Sequence, residues 1–248
     1  MRIQIENLSK SFGPLRAIDN ISLQLEPGQV IALIGPNGAG KTTLLQSLAG
    51  LIAPDKGKIL FDGHSFDRER MDLRRKLLYM PDFPPLLPGG NMLQHISMAL
   101  RLFEKDSTGL PEEVLAALKE LDLITLAEMP VSALSRGQSY KAALAALYLV
   151  DPELWMLDEP FASGMDPHGI MSFKQRAREA ASRGRIVIYT TQLLDLAERF
   201  SDQVGIVAGG KLHAFGPVAE LKERSSHEGD ANRGGVLEHI FAQLRETP

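Results

Sequence analysis

The chain has 248 residues, enough for one large α/β domain or two small ones, and 44% of them are hydrophobic, as in an ordinary globular core. A formal net charge of −4 gives no support to nucleic-acid binding, and the absence of cysteine excludes disulfides and thiolate metal sites while fitting a reducing compartment. The N-terminal residues lack the layout of a signal peptide, and no apolar run approaches the ~20 residues that cross a bilayer. We therefore expect any membrane contact to go through a partner.

Short β-branched runs alternate with helical stretches along the chain, a pattern that predicts an α/β fold with parallel strands. The runs at 30–34 and 154–157 are apolar throughout, which is typical of central strands covered on both faces. The predicted strands cover residues 3–7, 21–25, 30–34, 58–61, 77–80, 154–157, 186–190 and 204–207.

A long helical segment, residues 91–150, separates the first five predicted strands from the last three. It is rich in Leu and Ala with helical spacing and is interrupted at 106–111 and 128–132. We interpret it as a helical subdomain inserted between two strands of the sheet. Residues 224–235 are polar and contain glycine, so they predict a linker before a last short helix.

The stretch after strand 30–34 satisfies the G-x-x-x-x-G-K-[ST] pattern of a phosphate-binding loop that leads into a helix. Glycines allow the backbone to turn its N–H groups towards phosphate oxygens. Lys41 is expected to contact the outer phosphates, and the Thr42 hydroxyl to bind Mg²⁺. The alternative is a Gly-rich turn without a ligand. The predicted nucleotide-binding residues of this stretch are Gly35, Pro36, Asn37, Gly38, Ala39, Gly40, Lys41, Thr42 and Thr43.

Two carboxylates follow the apolar strand at 154–157. Asp158 is positioned to hold Mg²⁺ opposite Thr42, usually through water. Glu159 can orient and deprotonate an attacking water molecule. A polar turn that starts a helix is the alternative interpretation of the same residues.

These motifs, with two further ones in the same order, resemble the ATP-binding cassette (ABC) ATPases over nearly the whole chain. The sequence LSRGQ at 134–138 resembles the family signature, normally LSGGQ, and SGMDP at 163–167 resembles the D-loop. Phe12 stands where the family stacks an aromatic ring on adenine. The resemblance assigns Ser135, Arg136, Gly137 and Gln138 to the signature and Ser163 and Asp166 to the D-loop. Without it, SRGQ is better explained as a helix N-cap.

The resemblance implies a P-loop NTPase core of α/β class, with a mixed, mainly parallel sheet and an antiparallel part near the N-terminus. The expected ATPase domain covers residues 1–223 with a helical subdomain at about 88–150, followed by a linker and short helix at 224–248. The implied cofactors are ATP and Mg²⁺. A head-to-tail dimer would sandwich two ATP molecules between the phosphate loop of one chain and the signature of the other.

Two positions depart from the family pattern. Asp82 stands where the family has a Gln that contacts Mg²⁺ and the attacking water, so we expect a weaker metal contact there or a loop turn without one. Gln192 replaces the switch histidine. Its amide can donate to phosphate but cannot become cationic. With Glu159 and Lys41, Gln192 completes the expected catalytic set, and slow hydrolysis is expected, with a catalytically silent cassette as the opposing interpretation.

The resemblance implies a motor subunit of a membrane transporter, an exporter by the form of its C-terminal stretch. The expected partners are a transmembrane permease and a second copy of the chain or a paralogous cassette, without nucleic acid. The expected location is cytoplasmic, on the inner face of the membrane. Residues 83–88 form a proline-stiffened loop that either contacts the permease or packs on its own subdomain. A soluble cassette that drives an assembly complex and an unrelated small-molecule kinase are the competing interpretations.

Overall fold

A computed structural model of the protein describes residues 1–66, 69–105 and 109–221, and within these it contains ten strands and seven α-helices with both ends described, besides the helical residues 218–221. The strands are β1 (Ile3–Phe12), β2 (Leu15–Leu25), β3 (Gln29–Ile34), β4 (Lys56–Phe61), β5 (His64–Ser65), β6 (Leu77–Met80), β7 (Leu154–Leu157), β8 (Ile186–Thr191), β9 (Gln203–Ala208) and β10 (Lys211–Pro217). The helices are α1 (Lys41–Leu48), α2 (Met71–Arg74), α3 (Met92–Leu102), α4 (Leu110–Glu120), α5 (Arg136–Val150), α6 (Pro167–Ser182) and α7 (Leu194–Phe200). The predicted linker and last helix lie outside the described residues.

The strands form two sheets. The larger has the order β10-β9-β3-β8-β7-β6, in which all neighbours are parallel except the antiparallel pair of β9 and β10. The smaller has the order β2-β1-β4-β5 and is antiparallel throughout. The predicted mixed, mainly parallel sheet with an antiparallel part near the N-terminus is confirmed.

The central strand β3 is covered on both faces, as its continuous apolar sequence predicts. Val30, Ala32 and Ile34 belong to the hydrophobic core that contains α5 and α6. Ile31 and Leu33 belong to the second core, which α1 and the antiparallel sheet share. Because both faces are packed, the end of β3 is a fixed point from which the following loop starts.

Three helices, α3 to α5, lie between β6 and β7, in the segment that the sequence predicts to be helical. The break near residue 130 contains two short 3-10 turns, Ile124–Leu126 and Val131–Ala133. Helix α5 begins at Arg136, inside the LSRGQ motif, and Ser135 and Gln138 form a capping box at its N-terminus. No helix in the described ranges is long and apolar enough to cross a bilayer.

Sequence analysis missed the strands β5 and β10 and the full length of β1 and β2. Strand β10 carries Lys, His, Gly and Pro and pairs with β9 at the sheet edge, so its apolar signal is weak. The ends of β1 and β2 carry little apolar alternation, but Gly13, with a positive φ of 59°, turns one into the other. This hairpin fixes the position of Phe12 at the end of β1.

The first prediction concerns Leu144, which is fully buried on α5, the helix that carries residues of the LSRGQ motif. Leu144→Ala should lower the free energy of unfolding by about 2 to 5 kcal/mol, because it leaves a cavity in the hydrophobic core to which α5 belongs. Leu115→Ala on α4 is the control, because this side chain is 56% exposed. It should change the free energy of unfolding by less than about 0.5 kcal/mol. Urea unfolding measures both, and equal losses would contradict the packing assigned to α5.

Candidate nucleotide site

The loop between β3 and α1 is packed so closely that two of its positions admit only glycine. A Cβ atom on Gly35 would lie 2.1 Å from the carbonyl oxygen of Val207, and one on Gly40 would lie 2.2 Å from that of Ala17. Gly40 also has a φ of 106° directly before the first residue of α1. The loop is thereby held against the end of β9 and against β2. Its backbone shape is set by packing that exists without a ligand.

Lys41 is buried beneath this loop. Its ammonium Nζ donates to the carbonyl oxygens of Gly35 at 2.7 Å and Pro36 at 3.2 Å. It lies 3.7 Å from the Glu159 carboxylate. Burial lowers the pKa of Lys41, while the charges of Glu159 and Asp158 raise it. The buried ammonium group of Lys41 therefore already lies where a phosphate group would bind.

Asp158 accepts hydrogen bonds from hydroxyl groups on three different elements. The Thr42 hydroxyl on α1 donates to Oδ2 at 2.7 Å, and the Thr190 hydroxyl on β8 donates to Oδ1 at 2.6 Å. The Tyr79 hydroxyl on β6 lies 3.4 Å from Oδ2. Thr42 and Asp158 thus present adjacent hard oxygens, and Mg²⁺ at phosphate sites is typically held by one or two protein oxygens plus the phosphates. The residues present fit that ion.

Thr190 and Tyr79 were not predicted as site residues. Their only sequence signal is that each lies near the carboxyl end of a predicted strand, where ligand sites of parallel sheets form. Thr190 has a second function, because it accepts the backbone N–H of Glu159 at 2.9 Å. A single hydroxyl therefore fixes both neighbouring carboxylate residues.

Glu159 has a φ of 47°, a left-handed conformation that is uncommon for a residue with a side chain. Burial raises the pKa of its carboxyl group, and the charge of Asp158 acts in the same direction. Lys41 and a hydrogen bond from Gln192 oppose this rise in pKa. The Gln192 amide also donates to Asn37 Oδ1 in the phosphate loop at 2.9 Å. Gln192 thus links the predicted base to the loop.

The phosphate loop, the two carboxylates and Phe12 line one cleft of about 370 Å³. Phe12 is 47% exposed at the cleft, and Lys10 Nζ lies 5.6 Å from the centroid of its ring. Asp82 also lines the cleft, but its carboxylate lies 2.5 Å from Nη2 of Arg136. The described residues that line the cleft are Phe12, Leu15, Ala17, Asn37, Gly38, Ala39, Gly40, Lys41, Thr42, Thr43, Asp82, Asp158 and Glu159.

The four residues of the signature-like motif lie outside this cleft, as far as its described lining shows. Ser135 caps α5: its hydroxyl oxygen accepts the backbone N–H of Gln138 at 3.2 Å, and the Gln138 side chain accepts that of Ser135 at 2.9 Å. The site therefore contains a phosphate loop, a metal-binding pair and a candidate base, but no contribution from this motif of the same chain.

The predicted D-loop lies against the start of α5. A Cβ atom on Gly137 would lie 2.3 Å from the carbonyl oxygen of Gly164, so the two backbones touch. Asp166 caps α6 through the N–H of Gly169 at 2.7 Å and pairs with Lys141 of α5 at 2.9 Å. Ser163 is fully buried and donates to the Pro160 carbonyl oxygen at 2.8 Å. The two motifs therefore form one packed unit.

Comparisons with known proteins agree with this geometry. A family model described as ABC transporter matches residues 18–162. The SkfA peptide export ATP-binding protein SkfE of Bacillus subtilis is 32% identical over 90% of this chain and 92% of its own. The ABC-type transporter ATP-binding protein EcsA of the same organism is 29% identical over 90% of each chain. A solved structure of an ATP binding subunit of an ABC transporter aligns with a TM-score of 0.90 at 25% identity, covering 99% of this chain and all of its own.

The second prediction follows from the raised pKa of Glu159. The folded state disfavours the ionised carboxylate, so the stability penalty is absent below the ordinary pKa of 4.5 and is fully present above the raised pKa. Glu159→Gln should therefore raise the melting temperature of the ligand-free protein by an amount that grows from pH 4.5 towards neutrality. Thermal unfolding across this range measures the difference.

Glu113→Gln, at an exposed position on α4, is the control for this series and should show no growing gain. A stabilisation by Glu159→Gln that is the same at every pH would contradict the role of charge burial at Glu159.

Proposed function

Because the chain belongs to the ABC transporter family, we propose that it is the motor subunit of an exporter, which dimerises head-to-tail around two ATP molecules and drives a separate membrane permease. ABC ATP-binding subunits are ATPases, and the chain is an enzyme of this type. The similarity to SkfE, a peptide export ATP-binding protein, supports export as the direction of transport. The observation that carries the proposal is the single cleft where Lys41, Thr42, Asp158 and Glu159 meet.

Each of these residues has a chemical role that follows from its contacts. The Lys41 ammonium would exchange the carbonyl oxygens of Gly35 and Pro36 for phosphate oxygens, with the loop N–H groups beside it. Thr42 and Asp158 would hold Mg²⁺, which neutralises phosphate charge when bound. Glu159 would take the proton of the attacking water, and a raised pKa makes a carboxylate a better base for this transfer. Phe12 would stack on the adenine ring.

Gln192 would position the water and the γ-phosphate without supplying charge. Its amide contacts both Glu159 and Asn37, so it bridges the base and the loop over which the γ-phosphate would lie. An amide donates a neutral hydrogen bond, whereas a histidine could donate a charge-assisted one. We therefore propose that ATP binding is retained and that hydrolysis is slow.

The head-to-tail dimer is supported by the place of the signature. Ser135 and the first N–H groups of α5 form the positive end of a 15-residue helix, which favours an anion, yet this end lies outside the chain's own cleft. A second subunit, either another copy or a paralogous cassette, could supply the triphosphate. The D-loop, packed on the signature through Gly137 and Gly164, would then lie at the same interface.

The surface proposed for the permease is a groove of about 760 Å³ on the helical subdomain, beside α3. Its lining includes Leu87, Pro88 and Met98, together with Leu102, which is 61% exposed. A short apolar helix of a permease would fit this groove and would hold the chain on the inner face of the membrane. Phe83, by contrast, is covered in part by Arg136, whose guanidinium lies 5.2 Å from the centroid of its ring.

The third prediction tests the ATPase chemistry. A charge-assisted hydrogen bond is worth about 1 to 1.5 kcal/mol more than a neutral one, so Gln192→His should raise kcat for MgATP about five- to tenfold. Steady-state phosphate release with excess MgATP measures the change. Gln192→Ala is the matched variant and should lower kcat, because it removes the donor altogether. An unchanged kcat in both variants would show that Gln192 has no part in the chemical step.

The fourth prediction tests the permease groove. Leu102→Glu should abolish co-sedimentation of the chain with membranes that contain its permease, because a charge cannot be buried against an apolar helix. Leu115→Glu is the control, since Leu115 is similarly exposed, at 56%, but lies on α4 and does not line the groove.

ATP binding, measured on the purified variants, should be the same in both. If wild-type chain never sediments with such membranes but still hydrolyses ATP, the permease is not its partner and an assembly role without one is favoured.

A further inference from the structure

Two of the three residues at which this chain departs from the family motifs, Asp82 and Arg136, contact each other. They are 54 residues apart in sequence, yet Nη2 of Arg136 lies 2.5 Å from Oδ1 of Asp82. The guanidinium of Arg136 also covers the ring of Phe83 at 5.2 Å. The loop after β6 and the start of α5 are thus joined by an ion pair and a cation–π contact.

The location of Arg136 explains why it needs this partner. It is the first residue of α5, where the helix dipole is positive and a cation is unfavourable. The carboxylate of Asp82 and the π face of Phe83 offset that repulsion. The side chains of Arg136 and Asp82 are 42% and 47% exposed, so the pair is weak and can be exchanged for a stronger one.

The pair also connects two places with different functions. Asp82 lines the cleft that contains Lys41, Asp158 and Glu159. Arg136 belongs to the signature, which in the proposed head-to-tail dimer completes the site of the second subunit. The inference therefore rests on the proposed function and adds the regulation of the same site.

We propose that Arg136 is an exchangeable cation: it pairs with Asp82 in the free subunit and with the triphosphate held by the second subunit in the closed dimer. A phosphate group carries more charge than a carboxylate and accepts the guanidinium fork in two hydrogen bonds, so the exchange favours closure only when ATP is present. Asp82 is then a positioning residue that keeps Arg136 occupied and raises the ATP concentration needed for closure. In this arrangement Asp82 does not contact Mg²⁺.

The experiment compares four full-length proteins, all carrying Glu159→Gln to slow hydrolysis: the parent, Asp82→Asn, Arg136→Gln and the double variant. Light scattering gives the MgATP concentration at half-maximal dimer formation, alone and mixed with any cassette that co-purifies. Asp82→Asn should lower this MgATP concentration about two- to fivefold, as expected for release of an exposed ion pair.

Arg136→Gln should raise the MgATP concentration at half-maximal dimer formation about tenfold, because a charge-assisted contact is lost. In the Arg136→Gln background, Asp82→Asn should change this concentration by less than about twofold.

Two further measurements separate this role from a metal contact. MgADP affinity, measured by calorimetry, should be unaffected by Asp82→Asn, because ADP lacks the γ-phosphate that drives closure. Asp82→Glu keeps the charge and should restore most of the parent's ATP requirement for dimer formation. Weaker MgADP binding in Asp82→Asn, or an equal effect of this change with and without Arg136, would overturn the proposal.

The outcomes also distinguish this inference from the proposed function. If all four proteins dimerise at the same MgATP concentration, the exchange fails while the head-to-tail dimer stands. If the parent binds no MgATP, or binds it and never dimerises with itself or with a co-purifying cassette, the proposed dimer fails and the exchange with it.

Discussion

A buried ammonium group determines how the nucleotide site is arranged. Among the described residues, Lys41 contacts the carbonyl oxygens of Gly35 and Pro36 and lies beside the carboxylate of Glu159. Burial of a cation is costly unless it is paired and hydrogen-bonded, and these groups offset that cost in the ligand-free protein. In the proposed mechanism, an entering phosphate would replace these partners with a stronger one. Binding of the nucleotide would then also release Glu159 from Lys41, because the cation that lowers the pKa of Glu159 would turn to the phosphate.

Hydrogen-bond partners also explain why the two neighbouring carboxylates, Asp158 and Glu159, have different expected roles. Asp158 accepts hydrogen bonds from hydroxyl groups on α1, β6 and β8, and these fix its two oxygens beside Thr42, where a metal ion would bind. Glu159 has its backbone fixed by Thr190, but its carboxyl group is buried beside a like charge. The two adjacent residues that follow β7 thus differ in surroundings: one is a candidate metal ligand held by hydroxyl groups, and the other is a candidate base whose carboxyl group is partly buried.

The sequence predicts those parts of the molecule whose signal is local. The phosphate loop follows an apolar strand and precedes a helix, so its glycines, Lys41 and Thr42 can be assigned from spacing, and Asp158 follows from the next apolar strand. Strand β10 could not be predicted, because an edge strand shows little apolar alternation, and the contribution of Thr190 depends on β8 lying beside β7. The pairing of Asp82 with Arg136 depends on the fold bringing a loop onto a helix start. Gly137, by contrast, lies in a motif that the sequence shows, but the structure gives it a further reason. A side chain there would collide with the carbonyl oxygen of Gly164 in the same chain, so glycine is required with or without a ligand.

The departures at Asp82, Arg136 and Gln192 therefore cannot be interpreted one at a time. Taken alone, Asp82 suggests a new metal ligand, but its carboxylate is engaged by the cation that Arg136 adds. Taken alone, Gln192 suggests the loss of a positive charge near the γ-phosphate, but in a head-to-tail dimer Arg136 would bring a positive charge to the opposite side of the same phosphate. The electrostatic consequence of Gln192 in one subunit is then set by whether Arg136 in the other has left Asp82. In that dimer, the charge near the γ-phosphate would depend on both chains, because Gln192, which lacks a charge, and Arg136, which adds one, would belong to different subunits.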